Sequence, residues 1–242
     1  MRSAYLGEFV GTMVMILLGE GVNAGVLLKR SKAENSGWMV ITTGWTLAVL
    51  CGIFTAQLFG SADAHMNPAI TLASAIRSGN FSLLPGFALA QILGAFTGAT
   101  LVWIHYYPHW KETSDAEAKR AIFCTGPAIR NYFTNFLSEV LGTAVLIVVI
   151  GAITSKLVLS TGAAAGVSPW LVSCVVWSVG LSLGGTTGYA INPARDLGPR
   201  IAHAILPIAG KGNSDWSYAF IPVLGPAVGG VIAGFVLRWI GA

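Results

Sequence analysis

The residues of this chain that could do chemistry are a few charged and amide side chains inside apolar stretches. Glu8 and Glu139 interrupt apolar runs, and Arg195-Asp196 directly follows an Asn-Pro-Ala sequence in a charge-poor region. Charged groups in such surroundings are costly and indicate a specific role. Asn67-Pro68-Ala69 and Asn192-Pro193-Ala194 add two amide groups that can donate hydrogen bonds. This set predicts hydrogen bonding to a neutral polar molecule and repulsion of cations.

The composition places these residues in a membrane. Of the 242 residues, 54% are hydrophobic and 10% are charged, whereas soluble domains carry about 25% charged residues. This excludes a soluble enzyme, a disordered chain and a nucleic-acid binder. The three cysteines lie far apart, so we predict no disulfide framework, no metal site and no cofactor. An intramembrane hydrolase is disfavoured, since no Ser–His pair or His/Asp metal set has a plausible spacing.

Six apolar stretches are long enough to cross the hydrocarbon core of a bilayer as helices, which takes about 20 residues. Each lies where charged residues are few or absent. The polar segment 107–130 separates the third stretch from the fourth. The predicted spans are about 4–28, 38–58, 83–106, 132–155, 168–187 and 217–240.

Two further segments, 64–77 and 190–203, are too apolar for solvated loops and too short to span. At about 1.5 Å per helical residue they cannot cross a core of about 30 Å. Each contains Asn-Pro, in which Asn is a favourable N-cap and Pro suits the first helical position. We therefore predict half-helices at about 67–77 and 193–203 that begin inside the membrane, where irregular backbone is tolerated only if it is buried in protein or lines a cavity.

The two halves of the chain resemble each other. Glu8-x-x-Gly11-Thr12 recurs 131 residues later as Glu139-x-x-Gly142-Thr143, and Gly94 recurs as Gly225 at the same offset. The Asn-Pro-Ala sequences are 125 residues apart. Three spans per half is an odd number, so the second half is predicted to be inverted, with a binding or permeation site near the midplane. The prediction is a single channel domain at 1–242, with a first repeat at 1–106, a connecting loop at 107–130 and a second repeat at 131–242.

These motifs resemble the major intrinsic protein (aquaporin) family over essentially the whole chain, and its glycerol-facilitator branch in particular. The resemblance is carried by Glu8, His65-Met66-Asn67-Pro68-Ala69, Glu139 and Asn192-Pro193-Ala194-Arg195-Asp196. It implies an all-α membrane protein with six transmembrane helices and two re-entrant half-helices, assembled as a homotetramer with one pore per subunit. The implied function is passive diffusion of glycerol and other small neutral solutes, with some water.

The resemblance also places a selectivity filter at Trp45, Gly180, Tyr189 and Arg195. Water-selective relatives have His at the Gly180 position, so Gly180 is expected to leave room for a larger solute. Trp45 and Tyr189 would face the carbon backbone of a polyol while Arg195 binds its hydroxyl groups. Tyr189 replaces the Phe that is common in glycerol facilitators. Trp38 is expected to be an interfacial residue.

Support for the pore is implied for several further residues. Asn67 and Asn192 would donate to the solute, and Glu8 and Glu139 would accept hydrogen bonds from the re-entrant loops. The loop carbonyls of Asp63-Ala64-His65 and Gly188-Tyr189-Ala190 would line the pore, and Asp196 would support a loop. A structural salt bridge between Arg195 and Asp196 is the alternative for that pair. Glu20 is expected in the outer vestibule, with no function assigned.

Two other functions remain open from the sequence. One is a channel for protonated small organic acids such as lactic acid, because Gly180 makes the filter permissive. The other is an ion-coupled small-solute transporter that uses Glu8, Glu20 and Asp63. The short termini favour a bacterial plasma membrane, and the resemblance places both termini in the cytoplasm. Most Lys and Arg would then lie outside, although the positive-inside rule favours the opposite orientation.

Overall fold

A computed structural model describes residues 2–164 and 166–242 of the chain. Within these residues the regular structure is entirely helical. The ten helices are α1 Ala4–Leu27, α2 Trp38–Phe59, α3 Pro68–Ser78, α4 Leu84–His105, α5 His109–Glu112, α6 Ala116–Phe123, α7 Tyr132–Thr154, α8 Val167–Ser182, α9 Pro193–Ile205 and α10 Phe220–Ile240.

Five helices, α1, α2, α4, α7 and α10, are long and apolar enough to cross a membrane. Helix α8 is apolar but has only 16 residues, or about 24 Å at 1.5 Å per residue. The fifth predicted span, 168–187, therefore ends early, at Ser182. Residues 183–187 read Leu-Gly-Gly-Thr-Thr, and Gly and Thr are weak helix formers.

The two short helices α3 and α9 begin at the proline of each Asn-Pro-Ala sequence. The side chain of Asn67 caps α3 by accepting a hydrogen bond from the backbone N–H of Ala69. Asn192 caps α9 in the same way through the N–H of Ala194. Because the first helical N–H groups lack partners within the helix, these caps satisfy donors that would otherwise be buried and unbonded.

The helices of the two halves pack in equivalent pairs, α1 against α4 and α7 against α10. At each contact a glycine allows the backbones to approach closely. A Cβ atom on Gly94 would lie 2.3 Å from the carbonyl oxygen of Phe9, and one on Gly225 would lie 2.7 Å from Cβ of Glu139. Small residues at helix contacts are typical of membrane bundles. Each short helix also packs against the other half, α3 on α10 and α9 on α4.

The segment between the halves, predicted as a loop at 107–130, contains the two short helices α5 and α6. Trp110 and Phe123 of this segment are buried. Large apolar side chains on the long helices are exposed instead, such as Leu141 and Phe133 on α7 and Trp239 on α10. Exposed apolar side chains on long, predominantly apolar helices fit a lipid surrounding.

Candidate pore and selectivity filter

The N-termini of α3 and α9 meet through their capping asparagines. The side-chain NH2 of Asn67 donates to the carbonyl oxygen of Ile191 at 2.8 Å. Asn192 donates to the carbonyl oxygen of Met66, also at 2.8 Å. Each amide group has two N–H donors, so this exchange uses one and leaves the second for another acceptor. The positive dipole ends of both helices therefore converge on the same small region.

The backbone before each asparagine has the same unusual conformation. Ala64 and Met66 have φ values of 47° and 48°, and Tyr189 and Ile191 have 38° and 42°. Left-handed backbone is unfavourable for non-glycine residues and persists only where the surroundings impose it. Alternation of left-handed residues with others directs successive N–H groups toward a common anion site. The carbonyl oxygens of Met66 and Ile191 instead accept from the asparagine side chains.

In the first half the anion in this site is the carboxylate of Glu8, which is fully buried. One oxygen accepts from the Ser61 hydroxyl at 2.5 Å and from the N–H of His65 at 2.9 Å. The other accepts from the N–H of Met66 at 2.6 Å and from Gln91 at 2.7 Å. Four hydrogen bonds satisfy a charge that would otherwise be very costly to bury.

In the second half the equivalent group is Glu139, which is also buried. One oxygen accepts from the Thr187 hydroxyl at 2.6 Å and from the N–H of Ala190 at 3.0 Å. The other accepts from the N–H of Ile191 at 2.8 Å. Both carboxylates thus hold the re-entrant backbone in the left-handed conformation described above.

Two cavities run beside this backbone. The filter cavity is lined by Trp45, Tyr189, Arg195, both capping asparagines and an apolar wall. The vestibule cavity is lined by Gln57, Asp63 and Arg77, among others. Both cavities share Ile53, Ala64, His65, Ile70, Ile150 and Val172 in their walls. They are therefore adjacent parts of one passage, which is apolar on one side and lined by loop backbone on the other.

At the narrow end, Arg195 is buried and its guanidinium lies over the ring of Trp45, 4.3 Å from the centroid. This is a favourable cation–π geometry. Tyr189 is also buried beside the cavity. Gly180, expected to leave room in the filter, does not itself line the cavity. A Cβ atom at Gly180 would lie 2.9 Å from Cζ of Tyr189, so the tyrosine ring occupies the space that the glycine provides.

Asp196 pairs with Arg200, one helical turn later, at 2.7 Å. It also accepts hydrogen bonds from the N–H and hydroxyl of Thr125 at 2.8 and 2.6 Å. The alternative of a salt bridge with Arg195 is wrong, because among the described residues Asp196 pairs with Arg200 and the carboxylate that lies within 4 Å of Arg195 is that of Glu20. The segment that Asp196 holds is the one between the two halves, which contains Thr125.

Two expected pore-lining residues lie at the margins of the passage. Gly188 has a left-handed backbone and faces Thr125, about 3.8 Å from where its Cβ would be. It does not line either cavity described above. Asp63 is exposed and contributes to the vestibule cavity rather than to the narrow part.

Three residues lie behind the filter where the sequence did not place them: Trp38 was expected only at the interface, Glu20 in the outer vestibule, and Asn23 was not singled out. The indole N–H of Trp38 donates to the carbonyl of Gly180 at 3.1 Å, and its ring packs edge-on against Tyr189 at 5.7 Å. On α1, Glu20 lies 3.9 Å from Arg195, and Asn23 accepts a hydrogen bond from the indole N–H of Trp45. The available signal was their spacing of three residues, which places both on one helix face.

A passage built where two capped half-helices meet, inside a bundle of apolar helices, defines a multi-pass membrane protein of the channel class. The chain belongs to the major intrinsic protein family, whose sequence model matches residues 1–237.

Individual relatives agree with this assignment. The chain is 54% identical over 240 residues to the "probable glycerol uptake facilitator protein" of Thermotoga maritima, covering 98% of this chain and 99% of that protein. It is 52% identical to "glycerol uptake facilitator protein 3" of Lactiplantibacillus plantarum, covering 96% and 95%. The X-ray structure of the aquaglyceroporin from Plasmodium falciparum matches with a TM-score of 0.84 and 27% identity, covering 98% and 95%. This match confirms the all-α, aquaporin-like membrane fold, in which α8 takes the place of the sixth predicted span although it is shorter than the other five.

Proposed function

We propose that the chain is a passive channel for glycerol and other small neutral solutes, with some water. The observation that carries this proposal is the two-sided filter. Arg195 offers guanidinium N–H donors to hydroxyl groups, while the rings of Trp45 and Tyr189 offer apolar surface to the carbon backbone. A polyol has these two faces, whereas water has no apolar face to match. The names of the relatives support the same solute.

The passage supplies a hydrogen-bond path for such a solute. The carbonyl groups of residues 63–65 and of residues 189 and 190 would accept from its hydroxyls, and Asn67 and Asn192 would donate their free N–H groups to its oxygens. Pro68, Ala69, Pro193 and Ala194 begin the helices that position these amides. The converging helix dipoles and Arg195 create a positive potential that opposes cations. Each step exchanges hydrogen bonds, so the proposal needs no metal, cofactor or catalytic residue.

The wider arrangement is part of the proposal. Residues 1–106 and 131–242 would be inverted repeats, with half-helices at about 67–77 and 193–203. Equivalent caps, left-handed residues and buried glutamates in the two halves support this. We place the protein in a bacterial plasma membrane as a homotetramer, with cytoplasmic termini. Exposed apolar side chains on the long helices support contact with lipid and with neighbouring subunits.

The test is reconstitution into liposomes with light-scattering measurements under gradients of water, glycerol, urea and lactic acid. We expect faster glycerol and water equilibration than in protein-free liposomes, without saturation and without dependence on a proton or sodium gradient. No acceleration by any solute would exclude a channel. Acceleration by lactic acid alone would favour the organic-acid channel, and gradient dependence would favour a coupled transporter.

Orientation needs a separate measurement. Lys111 and Lys156 lie on opposite sides in the proposed topology, and each can be changed to Cys after exposed Cys51 is replaced by Ser. With an impermeant thiol reagent on intact cells, we expect label at position 111. Label at position 156 alone would reverse the proposed orientation.

A further inference from the structure

A buried carboxylate lies behind the filter without any hydrogen-bond partner. Glu20, on α1, has no exposed surface, and neither of its carboxylate oxygens has a partner among the described residues. The nearest cationic atom is Nη1 of Arg195, at 3.9 Å, and this nitrogen also lacks a partner there. Buried charges normally form several hydrogen bonds, so this arrangement requires an explanation that helix packing does not supply.

Residues of α1 next to Glu20 hold Trp45, the apolar side of the filter. Asn23 accepts a hydrogen bond from the indole N–H of Trp45 at 3.1 Å and donates to the carbonyl of Ile122 at 3.4 Å. The Trp45 ring lies directly on the backbone at Gly19, where a Cβ would approach it to 2.5 Å. The indole is therefore held by α1, and the guanidinium of Arg195 lies over its ring.

We propose that Glu20 forms an ion pair with Arg195 and is thereby a positioning residue for the filter: its carboxylate, placed behind the pore wall, draws the Arg195 guanidinium back against Trp45 and keeps the filter wide enough for a polyol. Glu20 does not line the filter cavity, so it acts on the solute only through Arg195. This inference rests on the proposed glycerol conduction.

The distance supports an electrostatic role rather than a direct hydrogen bond. At 3.9 Å the two groups exceed hydrogen-bonding distance, but opposite charges at about 4 Å attract strongly where water is excluded. Trp45 holds the guanidinium by its flat face, which leaves sideways movement free. Without the Glu20 charge, the guanidinium would move toward the cavity, where passing solutes are its available acceptors.

The test compares Glu20→Gln with a matched control, Thr12→Val. Both residues are fully buried on α1 and have oxygen atoms without partners, but Thr12 does not contact the filter. We expect Glu20→Gln to lower the ratio of glycerol to water permeability about fivefold, equivalent to roughly 1 kcal/mol. Thr12→Val should leave this ratio unchanged. Glu20→Asp keeps the charge and should give an intermediate ratio.

A double-variant cycle separates positioning from a general structural role. In an Arg195→Val background, Glu20→Gln should no longer change the permeability ratio, because its target is absent. An unchanged ratio in Glu20→Gln alone, or the same shift in both backgrounds, would overturn the inference. If Glu20→Gln does not assemble, Glu20→Asp with a wild-type ratio would overturn it equally. Absence of glycerol flux in the wild type would instead refute the proposed function.

Discussion

Gly180→Ala is the most direct perturbation of the filter, because it adds a single methyl group. The new Cβ would lie 2.9 Å from Cζ and 3.1 Å from Cε2 of Tyr189, and 3.2 Å from Cγ2 of Thr42. Carbon atoms in ordinary contact are about 3.5–4.0 Å apart, so the ring must move by roughly 0.6–1 Å. Trp38 packs against one edge of the ring. The free direction is toward the filter cavity, which Tyr189 lines.

The expected cost follows from this displacement. Inserting a methyl group into a tightly packed site costs about 1–3 kcal/mol. If glycerol meets this cost at the filter, its permeability falls roughly 5- to 150-fold. Water is smaller, and its permeability should fall much less. The helix itself should not suffer, because Ala is a better helix former than Gly by about 1 kcal/mol.

The assay measures glycerol and water permeability in liposomes, normalised to the amount of reconstituted protein. Gly185→Ala is the matched control, since no atom lies within 4 Å of its added Cβ. The double variant Gly180→Ala/Tyr189→Leu should recover part of the glycerol flux, because the displaced ring is removed. Gly180→His should abolish glycerol flux and retain water flux. Wild-type glycerol flux in Gly180→Ala would refute the reasoning that Tyr189 transmits the effect of this position.

Three further outcomes are expected. Glu139→Gln removes a carboxylate that accepts three hydrogen bonds, and it should lower the free energy of unfolding by about 1–3 kcal/mol because buried N–H donors lose their acceptor. Solute flux per molecule should fall as well, and normal flux would mean that the loop does not need the carboxylate. Lys211 donates to three carbonyls at the end of α9, so Lys211→Met should lower the melting temperature, while Lys156→Met, exposed, should not. Partial burial raises the pKa of Asp215, but hydrogen bonds from Arg130 and Ser217 outweigh it and hold this pKa below its usual value. The stability that the Arg130 pair contributes is therefore fully present above about pH 4, and it is lost as the pH falls through the folded pKa of Asp215. The difference in melting temperature between wild type and Arg130→Gln should accordingly vanish below that folded pKa.

The helices were predictable because local physics determines them. Apolar length located both ends of the five long helices to within one residue, apart from the start of α10, which begins at Phe220 rather than near 217. The end of α8 was placed too late, since hydropathy does not register the weak helix propensity of the Gly-Gly-Thr-Thr sequence. The starts of α3 and α9 followed from Asn and Pro at the cap, a signal contained in neighbouring residues.

The filter could be predicted only in part. Trp45, Tyr189 and Arg195 were identified by resemblance, and they line one cavity. The polar partners of Arg195 and Asp196 were not predicted. Arg195 lies beside Glu20 of the distant helix α1, and Asp196 contacts Arg200 on its own helix and Thr125 in the segment between the halves. Sequence adjacency suggested Arg195 with Asp196, but adjacent residues on a helix point about 100° apart.

The sequence by itself determined that the chain is a membrane protein and that it has two related halves. It also determined that two asparagine-capped half-helices place polar side chains inside the membrane. These properties follow from composition, periodicity and capping, which act within a few residues. The tertiary structure alone decided that Tyr189 fills the space at Gly180 and that α1 places the carboxyl group of Glu20 behind Arg195. Such features depend on which side chains from remote helices share a volume, and close packing settles that only when the whole bundle has assembled.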